Sequence, residues 1–166
     1  VNGDGHKPSS HPELSIHHAR SRLPRTPIWP LHDCLTQVAR NHGTEAALIV
    51  LESGINLGRI SPYDILSRLD LPAKKREVLH KHLSVAESGS ETRVRYFLQR
   101  QRISVQAQVV IPTVGRVDML VGRKLIIECD GEAYHSSSMA FENDRQRDIA
   151  AGNAGYRTMR LSYRQI

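Results

Sequence analysis

Three acids break the two apolar runs of the stretch VGRVDMLVGRKLIIECDGEAYH, residues 114–135. Asp118 interrupts one run of Val, Met and Leu, and Glu128 and Asp130 close a second run of Leu and Ile. A carboxylate in a buried strand is costly unless a metal or another cation pairs with it. Paired carboxylates on neighbouring strands are what a hard divalent cation requires, because Mg²⁺ takes oxygen ligands and keeps several waters. Asp118 and Glu128, with the backbone carbonyl of Cys129, therefore form a candidate metal site, and Asp130 is a further acid beside it. Such a metal binds a phosphate oxygen, activates a water and stabilises developing charge. His135, seven residues after Glu128, is a candidate acid or base, with a structural histidine as the simpler alternative. Cys129 reads as a small buried hydrophobe, not a nucleophile, because no His/Asn arrangement supports one.

This chemistry constrains the elements that carry it. Residues 116–121 and 124–129 read as two strands of a hairpin. Side chains alternate faces along a strand, so the connection decides whether the acids meet. A two-residue loop would oppose Asp118 to Ile127, whereas the three-residue loop Gly122-Arg123-Lys124, or a bulge, opposes it to Glu128. An odd-length connection is predicted, with Val117, Met119, Leu125 and Ile127 covering the other face against a helix. Upstream, residues 88–102 read as a helix with Val94, Phe97 and Leu98 on its buried side. Glu91 shares a face with Leu98 and could point at the sheet; equally, Ser88-x-x-Glu91 fits a capping box that only closes the helix start. Residues 105–111 alternate as a half-buried strand, 139–153 read as a helix and 156–162 as a last strand. The second half thus runs α-β-β-β-α-β.

Helical spacing predicts helices over 31–42, over 45–51 with Thr44 as cap, over 61–69 opened by Ser61-Pro62, and over 72–83. These form a small helical domain over 31–86, preceded by a loose leader over 1–30 rich in His, Ser, Gly and Pro, with Trp29 as an anchor. The histidines at 6, 11, 17 and 18 fit no metal-ligand spacing and read as solvated. The run Lys74–Arg76 reads as a solvated helix face. A start at Val1 suggests a piece of a longer protein.

The net charge of +6 and a pI near 9.7 favour a polyanionic partner such as nucleic acid, although a basic protein need not have one. Two separate cysteines fit a reducing, cytoplasmic setting. No apolar run is long enough for a membrane span, so no membrane partner is expected.

The ordered set of Glu91, Val117-Asp118, Leu125-Ile126-Ile127-Glu128-Cys129-Asp130-Gly131, His135 and Gly155-Tyr156-Arg157-Thr158-Met159-Arg160 resembles a known family. It is similar to the uncharacterised endonuclease-like domains related to very-short-patch mismatch repair endonucleases, in the PD-(D/E)XK superfamily. The resemblance covers residues 87–166. It implies an α/β fold with a restriction-endonuclease-like mixed β-sheet core flanked by helices, and Mg²⁺-dependent cleavage of DNA, with Mn²⁺ as a substitute. It implies that Asp118 and Glu128 hold metal, that Glu91 is the helix acid completing the site, and that His135 is the histidine after the sheet motif. Cations around the site, Arg95, Arg116, Lys124, Arg145 and Arg147, are the ones expected to hold DNA. In one place the chain departs from the pattern: Asp130 stands where the superfamily's lysine orients water. The family's domain often follows a winged-helix, antitoxin-like region, and 31–83 would follow such a region here.

The expected activity is that of a metal-dependent endonuclease or nickase in repair, mobile-element or defence functions. The alternatives are a nuclease fold retained as an inactive DNA-binding regulator, and a structural partner-binding domain.

Overall fold

The computed structural model describes residues 28–63, 65–130 and 138–166, and the side chains of the last stretch from Glu142 onward. The histidines of the leader and His135 lie outside the described residues.

Four helices form the N-terminal part: α1 (Leu31–Asn41), α2 (Thr44–Asn56), α3 (Ile65–Arg68) and α4 (Ala73–His82). Their inner faces supply one core, in which Leu35, Ala39, Leu48, Leu51, Leu69 and Leu79 are buried. Each such leucine contributes about 1.5–3 kcal/mol by leaving water. Trp29 is half-buried just before α1. The expected helices are present with shifted ends. Thr44 is the first residue of α2 and not its cap; Gly43 holds that place without a side-chain bond. α2 also runs past Gly54, where a Cβ would come within 3.0 Å of Ile60 Cδ1, so the missing side chain makes room for core packing. Ser61 does not open a helix; its hydroxyl accepts from the Tyr63 N–H at 3.3 Å, and this local turn delays α3 to Ile65. Lys75 and Arg76, expected to be solvated, donate to carbonyls of His42, Leu69 and Leu71.

The second half is α5 (Gly89–Arg100), β1 (Val105–Ile111), β2 (Gly115–Val121), β3 (Leu125–Asp130), α6 (Ser138–Asn153) and β4 (Arg157–Ser162), with a 3₁₀ turn at Tyr163–Gln165. The strands form one mixed sheet in the order β1-β2-β3-β4. β1–β2 and β2–β3 are antiparallel, and β3–β4 is parallel across α6. The fold is therefore α/β, a four-stranded mixed sheet flanked by helices, with further helices before it.

One sheet face meets α6, where Val117, Ile126 and Ala151 are buried together. The other meets α5, where Ile127, Val94, Leu98 and Met159 line a groove of about 600 Å³. Two expectations fail here. Phe97 is 59 % exposed at the rim of that groove, because α5 turns Thr92 and Arg95, not Phe97, inward against α2. Val117 packs with Ile126 on the α6 side and not with Met119 and Ile127. At the same level the β1–β2 ladder omits the Gln108–Asp118 pair, and Gln108 takes a left-handed φ of 51°. A residue in that region turns the strand and breaks the simple alternation.

Candidate active site

The hairpin connection is Gly122-Arg123-Lys124, three residues between Val121 and Leu125. Gly122, the first loop residue, has φ 59°, a left-handed conformation that glycine adopts without penalty. Val121 then faces Leu125, Leu120 faces Ile126 and Met119 faces Ile127, and continuing that register opposes Asp118 to Glu128. The odd-length connection expected from the sequence is therefore present.

At this point the acids replace the ladder. The Asp118 N–H donates to Glu128 Oε2 at 3.1 Å, and the Cys129 N–H donates to Asp118 Oδ2 at 2.8 Å. Each carboxylate thus satisfies a backbone donor of the facing strand. Glu128 Oε1 accepts from Arg147 Nη2 at 3.0 Å. These bonds use both oxygens of Glu128 and Oδ2 of Asp118, with Asp118 Oδ1 outside them. Burial raises the Glu128 carboxyl above its ordinary value; the Asp118 charge adds to the rise, while the Asp118 N–H, Arg147 and Arg160 oppose it.

Glu91 arrives from α5. Ser88 caps that helix, its hydroxyl accepting from the Glu91 N–H at 3.2 Å. The glutamate carboxylate stays within reach of the Ser88 side chain but takes the Glu87 N–H in place of the Ser88 N–H that a full capping box uses. Its Oε2 accepts from the Glu87 N–H at 2.9 Å and from Gln108 Nε2 at 2.8 Å. Both readings of Glu91 are thus partly realised: it closes the helix start and it faces the sheet. Burial raises its carboxyl, and the Asp118 charge raises it further. Cys129 registers the whole cluster. Burial pushes its thiol up to about 12, and the charges of Asp118, Glu91, Glu128 and Asp130 add to the rise. A thiol held that far from ionisation is no nucleophile, as expected.

Asp130 continues the Glu128 side of β3 and pairs in register with Ser162, beside Arg160. Among the described residues no three His, Cys, Asp or Glu side chains converge into one metal-holding group. The donors fit a hard cation as a two-carboxylate site, Asp118 and Glu128, in which burial and, less strongly, the Asp118 charge oppose the ionisation of Glu128. Glu91 and Asp130 flank this pair without completing a single ligand set.

The expected phosphate contacts need revision. Arg95 is 1 % exposed and cannot meet a nucleic acid. It is buried against Glu52, and its Nη1 donates to the His82 carbonyl at 2.6 Å. Arg147 is committed internally, donating to the carbonyls of Val114 and Arg116 as well as to Glu128. It orients Glu128 while its side chain stays 37 % exposed. Arg116 is exposed but paired with Glu87 at 2.5 Å. Lys124 is exposed, 5.3 Å from the Tyr156 ring, and Arg145 is exposed on α6.

Sequence reasoning missed three residues. Gln108 looked like the polar side of an alternating strand, and nothing in the sequence marks its left-handed backbone. Arg160 lies opposite Glu128 in the parallel register and pairs with Asp148 at 2.9 Å; only the strand order places it. Glu52 is buried in α2, where Thr92 Oγ1 donates to it at 2.7 Å and the Ser84 N–H at 2.8 Å. Its one sequence signal is a carboxylate within the apolar run of residues 46–51 and Ile55.

The chain matches no family model, no curated protein and no solved structure.

Proposed function

We propose that this protein is a metal-dependent DNA endonuclease or nickase of the PD-(D/E)XK type, acting in the cytoplasm in repair or in defence against mobile elements. One observation carries the reading: Asp118 and Glu128 stand opposite each other across an odd-length hairpin, in a half-buried cluster where burial and the Asp118 charge disfavour ionisation of Glu128. The order of elements around it, α5-β1-β2-β3-α6-β4, also supports it.

Asp118, Glu128 and the Cys129 carbonyl are the groups that would hold Mg²⁺ or Mn²⁺. When bound, the ion would polarise a phosphate oxygen and make a water more acidic. The chain's own residues prepare that site. Arg147, fixed by two carbonyls, holds Glu128 in one orientation. The Asp118 and Cys129 N–H groups hold the two carboxylates against the sheet. Gln108 holds Glu91 beside Asp118. Asp130, once ionised, accepts hydrogen bonds only, so it cannot orient a water by donation as a lysine would. DNA as partner is supported by the net charge of +6.

The test is cleavage of supercoiled plasmid, linear duplex and single-stranded DNA with Mg²⁺ or Mn²⁺, beside Asp118→Ala. The expected result is metal-dependent cutting by the wild type, and loss of at least about 100-fold in the variant with DNA binding retained. A second reading is an inactive nuclease fold kept as a DNA-binding regulator. It is favoured by the Arg147–Glu128 ion pair, a cation already placed at the site, and by Asp130. Binding without cutting under every metal condition selects it.

A further inference from the structure

Three connections meet at the end of the sheet away from the acids. They are the α5–β1 link of residues 101–104, the β2–β3 turn of residues 122–124 and the α6–β4 link of residues 154–156. The Gly122 N–H donates to the Ser104 carbonyl at 2.8 Å, and the Arg157 N–H donates to the Lys124 carbonyl at 2.8 Å. These bonds bring Arg100, Arg102, Arg123, Lys124 and Arg157 to one surface. All five are exposed, and the three connections contain no acid. Elsewhere in the second half, Arg93, Arg95, Arg116, Arg147 and Arg160 each pair with a carboxylate. Among the described residues, no ion pair neutralises any of the five.

The backbone keeps these connections compact. Gly155 has φ 78°, and a Cβ there would come within 3.0 Å of Lys124 Nζ. The missing side chain lets Lys124 lie over Tyr156. Arg102 itself takes a left-handed φ of 61°. A basic residue ending α5 is expected from the helix dipole, which accounts for Arg100 but not for the other four.

We infer that this surface is a phosphate-backbone clamp for nucleic acid, formed by Arg100, Arg102, Arg123, Lys124 and Arg157 and separate from the acidic pair. Four of the five are arginines, whose planar guanidinium matches phosphate oxygens in pairs. A lipid surface is less well matched, because Ile103 is the one large aliphatic side chain exposed among the three connections. Lys124, in the turn, and Glu128, on β3, are four residues apart, roughly 13 Å at the usual strand rise. That is the axial rise of about four base pairs, so a bound duplex could touch both ends of the hairpin. The inference rests on the proposed function for the identity of the polyanion and names where it is held.

Binding of a labelled DNA duplex is measured in EDTA by anisotropy, over about 50–200 mM salt. Three proteins are compared: the wild type, the triple variant Arg102→Gln/Arg123→Gln/Arg157→Gln, and the charge-matched control Arg59→Gln/Lys74→Gln/Lys81→Gln on the helical half. The clamp predicts that the triple variant loses about 2–3 from the slope of log K against log salt and at least about tenfold in affinity. The control should lose markedly less. Melting temperature verifies folding, and Arg123→Glu alone, which should weaken binding several-fold, serves if the triple variant is unfolded. Equal losses in both triples, an unchanged slope, or no binding by the wild type would each overturn the clamp. So would phosphatidylserine vesicles being the only probe whose binding the triple variant loses. Wild type that binds but never cuts DNA with Mg²⁺ or Mn²⁺ removes the nuclease reading and leaves the clamp standing. Cutting with an unchanged triple-variant slope does the reverse.

Discussion

Asp118 is the residue on which the site depends, because its charge acts on three neighbours. It disfavours ionisation of Glu91, Glu128 and Cys129, in each case adding to burial. This has a consequence for stability against pH. The Glu128 carboxyl titrates near 4.5 in the unfolded chain and higher in the folded one. Between those values the folded state holds more protons than the unfolded state, so stability without metal falls as pH rises through that window. Below it Glu128 is protonated in both states and the penalty is absent. Glu91 contributes with the same sign. Asp118→Asn, whose amide oxygen can still accept from the Cys129 N–H, removes the repulsion. It should raise the melting temperature in EDTA by roughly 1–3 °C at neutral pH and by less near pH 4. Melting curves of both proteins across pH check this; a variant less stable than the wild type at neutral pH would make Asp118 a structural acid. The same substitution should lower cleavage as severely as Asp118→Ala, since stability and activity are opposed in a charged site.

At the scale of elements, α5 decides how the molecule is joined. Its Glu91 face meets the sheet, and Thr92 and Arg95 meet α2 through Glu52. A buried ion pair contributes little net stability, but breaking it leaves an uncompensated charge. Glu52→Gln and Arg95→Met should each cost about 3–5 kcal/mol in urea unfolding. The double variant Glu52→Leu/Arg95→Met should recover most of that, and a double-mutant cycle measures the coupling. The hairpin turn offers a smaller test. Gly122→Ala forces a Cβ into a left-handed backbone and should cost about 1–2 kcal/mol without altering the register of β2 against β3.

For the whole molecule there are two cores, one among the N-terminal helices and one between the sheet and α6, with α5 lying between the helices and the sheet. The helical core centres on Leu48 and Leu79, the sheet core on Val117 and Ile126, and Tyr96 of α5 packs against the first. The buried Glu52–Arg95 pair ties them, so the halves should unfold together. Trp29, the single tryptophan, reports on the helical half, whereas far-UV circular dichroism reports on the entire chain. Their denaturation midpoints should coincide; two separated transitions would show the halves to be independent. Charge is also distributed at this scale, with acids at one end of the hairpin and unpaired cations at the other.

Much of this was legible from residues alone. Hydrophobic periods of two and near four place every strand and most helices of the second half within a residue or two, because local backbone geometry dictates those periods. The spacing of Asp118 and Glu128 even dictates the loop length that opposes them. In contrast, Arg95 and Phe97 were read wrongly: a charged or aromatic residue on a helix carries no sign of which neighbour its face will meet. Arg95 is buried only because α2 brings Glu52 to it, and Phe97 is exposed for the same reason. Gln108 and Arg160 join the site through a break in one strand ladder and a parallel pairing across α6, contacts between residues far apart in the chain. The sequence by itself determined the acids, the strands and the turn between them. The tertiary structure alone decided which cations are spent inside the molecule and which remain outside, because an ion pair depends on distance, and long-range distances are set by packing.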